Sequence, residues 1–308
     1  MKSKICLLIL AVIILAGAII SCQHVMAVTD ATAQILGVTG VIDPNIANAI
    51  SLTARATSAA AERITPEQEY YIGRAVAANI LTSYRIWNGN PALTEYLNLI
   101  CAAITINSTP PRSDVFKGYS VAILDTSEIN AFATPGGHIF LTRGLINAAR
   151  SEDALAGVIA HEVAHIHLQH GVDAIRNSRT QQAFATGVIS ATAVLTDADV
   201  NELTDMFNES VGEIFQTLVH NGFSRRQEFD ADIYAMALMA NAGYNPQGLI
   251  DMLRNLSAVQ VSGTAGFGST HPTPADRITN AEANAGRFTV VDTTVHREAR
   301  FAAATRVR

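Results

Sequence analysis

The sequence predicts a mainly helical α+β domain with a small β-sheet beside a buried helix. Three observations carry that fold class. Helix-start signals recur along the chain, at Thr65-Pro66, Asn90-Pro91, Ser151, Ser224 and Asn245-Pro246. Two short β-type runs, Ser120–Leu124 and His138–Leu141, fall between the second and third of these, with the turn signal Pro135-Gly136-Gly137 between them. The stretch after Ser151 is apolar on nearly every side yet contains His161, Glu162 and His165. A helix apolar all round is a core helix, and buried ionisable groups there are costly unless something pairs with them.

Taken in order, the chain opens with Lys2 and Lys4 ahead of an apolar run from Ile5 to Ile20. That is a charged region followed by a hydrophobic one, short for a bilayer span of about 20 residues. Ile19-Ile20-Ser21-Cys22 follows and resembles a bacterial lipobox, in which cleavage before the cysteine is coupled to its lipidation. Residues 1–21 are therefore expected to be a lipoprotein signal peptide, with Cys22 the lipidated residue and the membrane reached through that anchor. Gln23, rather than Asp, favours the outer membrane of a bacterial envelope, with the chain facing the periplasm. An uncleaved signal anchor with Cys22 incidental is the alternative.

Residues 22–61, rich in Ala, Thr and Ser, read as a tether or helical preamble. Thr65-Pro66-Glu67-Gln68 is a capping box with proline at the first helical position. Asn90-Pro91 begins a second helix, in which Cys101 joins an apolar pattern with Leu97 and Ile100. Once Cys6 leaves with the signal and Cys22 is acylated, Cys101 stands alone, so no intrachain disulfide is expected. Of the 308 residues, 21 are Lys or Arg and 27 Asp or Glu, a formal charge of −6. Loss of Lys2 and Lys4 takes it to −8, which argues against nucleic acid as a partner.

His161-Glu162-Val163-Ala164-His165 carries the chemistry. Histidines four apart stack on one face of a helix, so their imidazoles can share one Zn²⁺ per chain. Glu162 leaves on a neighbouring face, placed to be general base toward water. The alternative is a helix with two solvated histidines. Glu152 and Asp153 complement the dipole of this helix and Gly171 offers a stop; His167 and His170 lie off the ligand face and read as dipole partners at the helix end.

A site of this kind needs a third protein ligand. Ser224 to Asp232 opens a helix in which Glu228 and Asp232 are again four apart. Glu228 is the candidate ligand. Asp232 is the candidate acceptor for the second ring N–H of His161 or His165, with His161 favoured. Both could instead be surface acids offset by Arg225 and Arg226. Residues 173–220 read as two helices around Thr196–Asp199, and the glycine run 263–268 precedes His271. The tail from His296 to Arg308 is mildly basic and shows no assignable pattern.

Three blocks together, Asn130–Leu145, His161–His165 and Glu228–Asp232, resemble the zinc metallopeptidases of the HtpX and CAAX-prenyl-protease type. Thr270–Ile278 is a weaker fourth block and Thr65–Arg74 resembles the start of the peptidase domain. The resemblance implies a zincin-like peptidase domain over 62–285 and a C-terminal tail over 286–308. It implies an edge strand, Gly137-His138-Ile139-Phe140, that pairs with an extended or unfolded polypeptide substrate. Asn130 matches a position whose amide faces the site, where it could hold substrate or oxyanion, or else be a turn residue. His271 is implied to approach the metal, either as an inhibitory ligand or as a donor to the tetrahedral intermediate. Arg277 is expected to pair with a carboxylate near the site. With one apolar segment, the chain resembles the soluble cell-envelope branch. Peptide-bond hydrolysis in envelope quality control is the expected function. The alternatives are an assembly factor with a latent zinc site, and a zinc hydrolase of a non-peptide bond.

Overall fold

The computed structural model describes residues 22–41, 43–48, 50–51, 54, 64–106, 117–173, 211–260, 271, 274–290 and 294–305. Residues 1–21, read above as a signal peptide, most of the 173–220 stretch read as two helices, and the glycine run 263–268 lie outside them. The chain forms two compact units, Met1–Ile64 with Ile175–Phe207, and Thr65–Ala174 with Asn208–Arg308. In the first, helix α1 (Cys22–Val38) ends before Gly40, whose φ of 66° lies in the left-handed region that favours glycine. Ser51 hydrogen-bonds Asp30 and Gln34 of α1, and Ala33 and Ala47 are buried.

The second unit begins with α2 (Pro66–Ser83). Thr65 Oγ1 accepts from the Gln68 N–H at 3.2 Å, and Gln68 Oε1 accepts from the Thr65 N–H at 2.9 Å. The expected capping box is thus formed on both sides. Helix α3 (Pro91–Ile106) buries Leu93, Leu97, Ile100, Cys101 and Ile104, a single apolar stripe at helical spacing.

Strands β1 (Ser120–Leu124), β2 (Ala131–Thr134) and β3 (His138–Thr142) form one mixed sheet in the order β1-β3-β2. β3 pairs parallel with β1 and antiparallel with β2. This corrects the assignment of Gly137, His138, Ile139 and Phe140 as an edge strand. They lead into and form the central strand, whose backbone is committed to neighbours on both sides. The outer side of β1 is closed by Asn98 of α3, which donates to Val121 O at 2.8 Å and accepts from Val121 N–H at 2.9 Å. The edge that flanks the central helix is β2. Thr142 N–H donates to Asn130 O at 3.1 Å, so alternation turns the backbone groups of Ala131 and Ala133 away from β3. The hairpin turn presses on α2. A Cβ on Gly73 would sit 1.6 Å from Pro135 O, and Gly136 takes φ 76° against the Tyr70 backbone.

A short helix, α4 (Arg143–Ala148), leads to α5 (Glu152–His167), capped by Ser151 Oγ on the Ala154 N–H. Every residue from Glu152 to Ile166 is buried. Around α5 pack α3, β2, α6 (Arg225–Asn241), α7 (Gln247–Gln260) and α9 (Thr294–Thr305), with α8 (Pro274–Ala285) against α6 and α7. Gly157 lets α7 approach, since a Cβ there would meet Leu249 Cα at 2.8 Å. The C-terminal stretch without a sequence assignment is helix α9. Its Arg297 pairs with Asp153 at 3.0 Å and its Arg300 with Glu152, so the two acids serve an ion-pair lock as well as the helix dipole. Helix α5 ends at His167, with Leu168 the cap and Gln169 at φ 59° turning the chain; Gly171 is not the stop and lies against Pro135. Among the described residues no helix is long and apolar enough to cross a membrane.

Candidate metal centre

Helix α5 presents His161 and His165 one turn apart, and α6, started by the Ser224–Gln227 capping box, presents Glu228 opposite them. His161 Nε2 and His165 Nε2 are 3.0 Å apart. Glu228 Oε2 is 3.4 Å from the first and Glu228 Oε1 3.5 Å from the second. Ligand atoms around a tetrahedral ion with bonds of about 2.0–2.1 Å lie about 3.3 Å from one another. The three residues therefore fit one small ion with nitrogen and oxygen donors. His271 completes a buried group of four whose donor atoms all lie within 4.8 Å. Its Nδ1 is 2.9 Å from Glu228 Oε1.

Glu162 is buried beside this group. Its Oε1 lies 4.0 Å from His271 Nε2 and has no hydrogen-bond partner among the described residues. Burial raises its pKa, although the nearby His271 and His161 oppose the shift. A buried carboxylate oxygen held ready but unbonded is what a general base toward water requires.

Asp232, one turn beyond Glu228, lies with Oδ1 3.0 Å from His161 Nδ1. Of the two histidines left open by the sequence, it meets His161. Arg277 of α8 grips the same carboxylate twice, Nε to Oδ2 at 2.8 Å and Nη2 to Oδ1 at 2.6 Å. Its Nη1 reaches Glu228 Oε2 at 3.1 Å. The alternative of surface acids offset by Arg225 and Arg226 does not apply, because both carboxylates are buried against Arg277. Burial alone would raise these acids; for Glu228 the His271 and Arg277 charges, and for Asp232 the Arg277 charge and hydrogen bonds, outweigh it and hold both low. Burial and Arg277 oppose a proton on His161, yet its hydrogen bonds to Asp232 and Glu228 lift it to about 9. His165 is driven well below the ordinary value by burial and by the His161 charge.

Asn130 lies at the turn into β2. Its Oδ1 accepts from the Ala131 N–H at 2.9 Å and its Nδ2 donates to Glu128 at 3.3 Å. Ala131 N–H is one of the groups turned away from β3, and the Asn130 amide occupies it. The side chain of Cys22 lies outside the described residues. Two neighbours were not given a place at the site by sequence reasoning. Phe223 stacks on the His165 ring, 4.1 Å between centroids and 19° from parallel. His170, read as a dipole partner, has its Nδ1 2.8 Å from His165 Nδ1; burial lowers its pKa.

Residues 94–285 match the family model of peptidase family M48. The chain belongs to that family. Members are metal-dependent peptidases, in keeping with the buried His/Glu group. Similar proteins include the beta-barrel assembly-enhancing protease of Yersinia pestis, 25% identical over 65% of this chain and 40% of that protein. The mitochondrial metalloendopeptidase OMA1 of Schizosaccharomyces pombe is 32% identical over 50% of this chain and 42% of its own length. Metalloprotease LoiP of Escherichia coli is 28% identical over 61% of this chain and 69% of its own. The matched region thus spans less than half the length of the first two. The mainly helical α+β architecture with a small mixed sheet is the zincin-like fold expected of the family.

Proposed function

We propose that this chain is a zinc metalloendopeptidase of the bacterial cell envelope, hydrolysing peptide bonds in unfolded or misassembled proteins. The observation that carries the proposal is the convergence of His161 Nε2, His165 Nε2 and the Glu228 carboxylate at spacings of 3.0, 3.4 and 3.5 Å. Zinc held there supplies a Lewis acid that polarises the scissile carbonyl and acidifies water. Glu162 takes the proton of the attacking water at Oε1 and later passes it to the leaving amine. Its burial makes it a stronger base than a solvated carboxylate. Asp232 and Arg277 keep the His161 ring and the Glu228 carboxylate turned toward the ion. An extended substrate adds to β2 through the outward groups of Ala131 and Ala133, displacing the Asn130 amide from the Ala131 N–H. This mode asks for peptide backbone and disfavours a small ester or amide substrate.

His271 stands within the group of possible ligands, which favours a resting state in which it closes the site. The related reading, an assembly factor with a latent site, draws on that closure. Lipidation at Cys22 and a periplasm-facing position at the outer membrane belong to the same proposal and rest on the lipobox-like Ile19–Cys22 segment.

The test is Glu162→Gln in the purified full chain, with a denatured protein as substrate. The variant should keep its zinc and its fold and lose nearly all cleavage. Wild-type turnover by the variant would remove Glu162 from the base role.

A further inference from the structure

The two histidines offered to the metal are supported differently on their far sides. His161 has the Asp232 carboxylate at its Nδ1. His165 has another imidazole, with 2.8 Å between its Nδ1 and that of His170. No hydrogen bond forms at that separation unless one nitrogen carries a proton and the other a lone pair. His165 must present its Nε2 lone pair toward His161 and Glu228 to act as a ligand, so its proton sits on Nδ1. His170 Nδ1 must then accept, and the His170 proton sits on Nε2.

The chain is shaped to deliver this contact. Helix α5 stops at His167, and a further helical turn would carry residue 170 onward along the axis. Instead Gln169 adopts φ 59°, a conformation uncommon for a residue with a side chain, and folds His170 back onto the preceding turn. His170 is buried there, 6% exposed. Phe223, stacked on the His165 face, leaves that ring its in-plane edges for contact: Nε2 toward the site and Nδ1 toward His170.

We propose that His170 is a positioning residue for the metal site, fixing the tautomer and orientation of His165 by accepting its Nδ1 proton. The inference rests on the assignment of His165 as a ligand made above. A neutral acceptor suits this flank. Among the described residues, Glu162, Glu228 and Asp232 already bring three buried carboxyl groups to the site against the Arg277 guanidinium, and a further carboxylate would add buried negative charge.

Two measurements on the full chain test it. The first is a ¹⁵N–¹H spectrum of the histidine rings of the zinc-loaded, unsubstituted protein. It should show His165 protonated at Nδ1 and His170 at Nε2 alone. A proton on His170 Nδ1 would overturn the proposal. The second is zinc affinity by competition with a chromophoric chelator for His170→Leu and His170→Gln, with the thermal stability of each metal-free variant measured alongside. His170→Leu should bind zinc roughly 10–100-fold more weakly, the usual size of losing a partner behind a ligand. His170→Gln, whose amide oxygen can accept, should recover most of that loss. Leucine binding as tightly as the parent, or leucine and glutamine losing equally, would sink it. Failure of the ligand assignment itself would look different: His165→Ala would then hold zinc as tightly as the parent.

Discussion

Asp232 Oδ1 meets His161 Nδ1 at 3.0 Å across the interface of α5 and α6. Asp232 is held ionised by Arg277, so the shared proton belongs to the imidazole Nδ1 and Nε2 is the atom left to face the metal. One carboxylate, four residues beyond Glu228, thereby sets the tautomer of a histidine on another helix.

Asp232→Asn should weaken zinc binding by roughly 10–100-fold while the helices persist. The amide can turn its NH₂ toward His161 and favour the wrong tautomer, and it loses the ionic hold on Arg277. Chelator competition on the purified variant reads the effect. An unchanged affinity would show that the Asp232 contact does not prepare His161.

The pH dependence of metal uptake follows from the same pair. In the metal-free chain His161 is lifted to about 9, while His165 is kept unprotonated and Glu228 ionised. Zinc therefore displaces about one proton, and its affinity should fall about tenfold per pH unit from about pH 8.5 to 6.5. The metal-free protein behaves oppositely. A histidine whose folded pKa lies above the ordinary 6.5 contributes stability that is fully present below 6.5 and lost as pH rises through 9. The gap in Tm between zinc-loaded and metal-free protein should widen as pH rises across that window. A gap that narrows would contradict the assignment.

Gly157 tests the packing that holds the site. Its missing Cβ admits the Leu249 backbone of α7, which has no side-chain freedom with which to yield. Gly157→Ala should cost about 1–3 kcal/mol, the usual range for overpacking a core, although alanine is the better helix former. Denaturant unfolding measures it. A variant as stable as the parent would mean that α7 can shift without penalty.

The helices and the ligand pair were legible in the sequence because their signals are local. Thr65-Pro66-Glu67-Gln68 is a cap by itself, and His161/His165 and Glu228/Asp232 share faces by spacing alone. Strand order was not legible. Whether Gly137–Phe140 or Ala131–Thr134 forms the edge depends on β1, earlier in the chain, pairing in parallel with the side of β3 that β2 leaves free. His170 was missed because Gly171 looked like the stop, whereas Gln169 takes the left-handed turn that brings His170 back. Helix α9 was missed for a further reason: Arg297 is buried against Asp153 and the half-exposed Arg300 reaches the buried Glu152, so charged residues lie on the packed face.

The central claim is that α5 and α6 together build one zinc site. Zinc-edge anomalous diffraction from crystals of the full chain tests it most directly. The account predicts a single strong peak about 2 Å from His161 Nε2, His165 Nε2 and the Glu228 carboxylate. A peak elsewhere, or none there in protein shown to contain stoichiometric zinc, would contradict it.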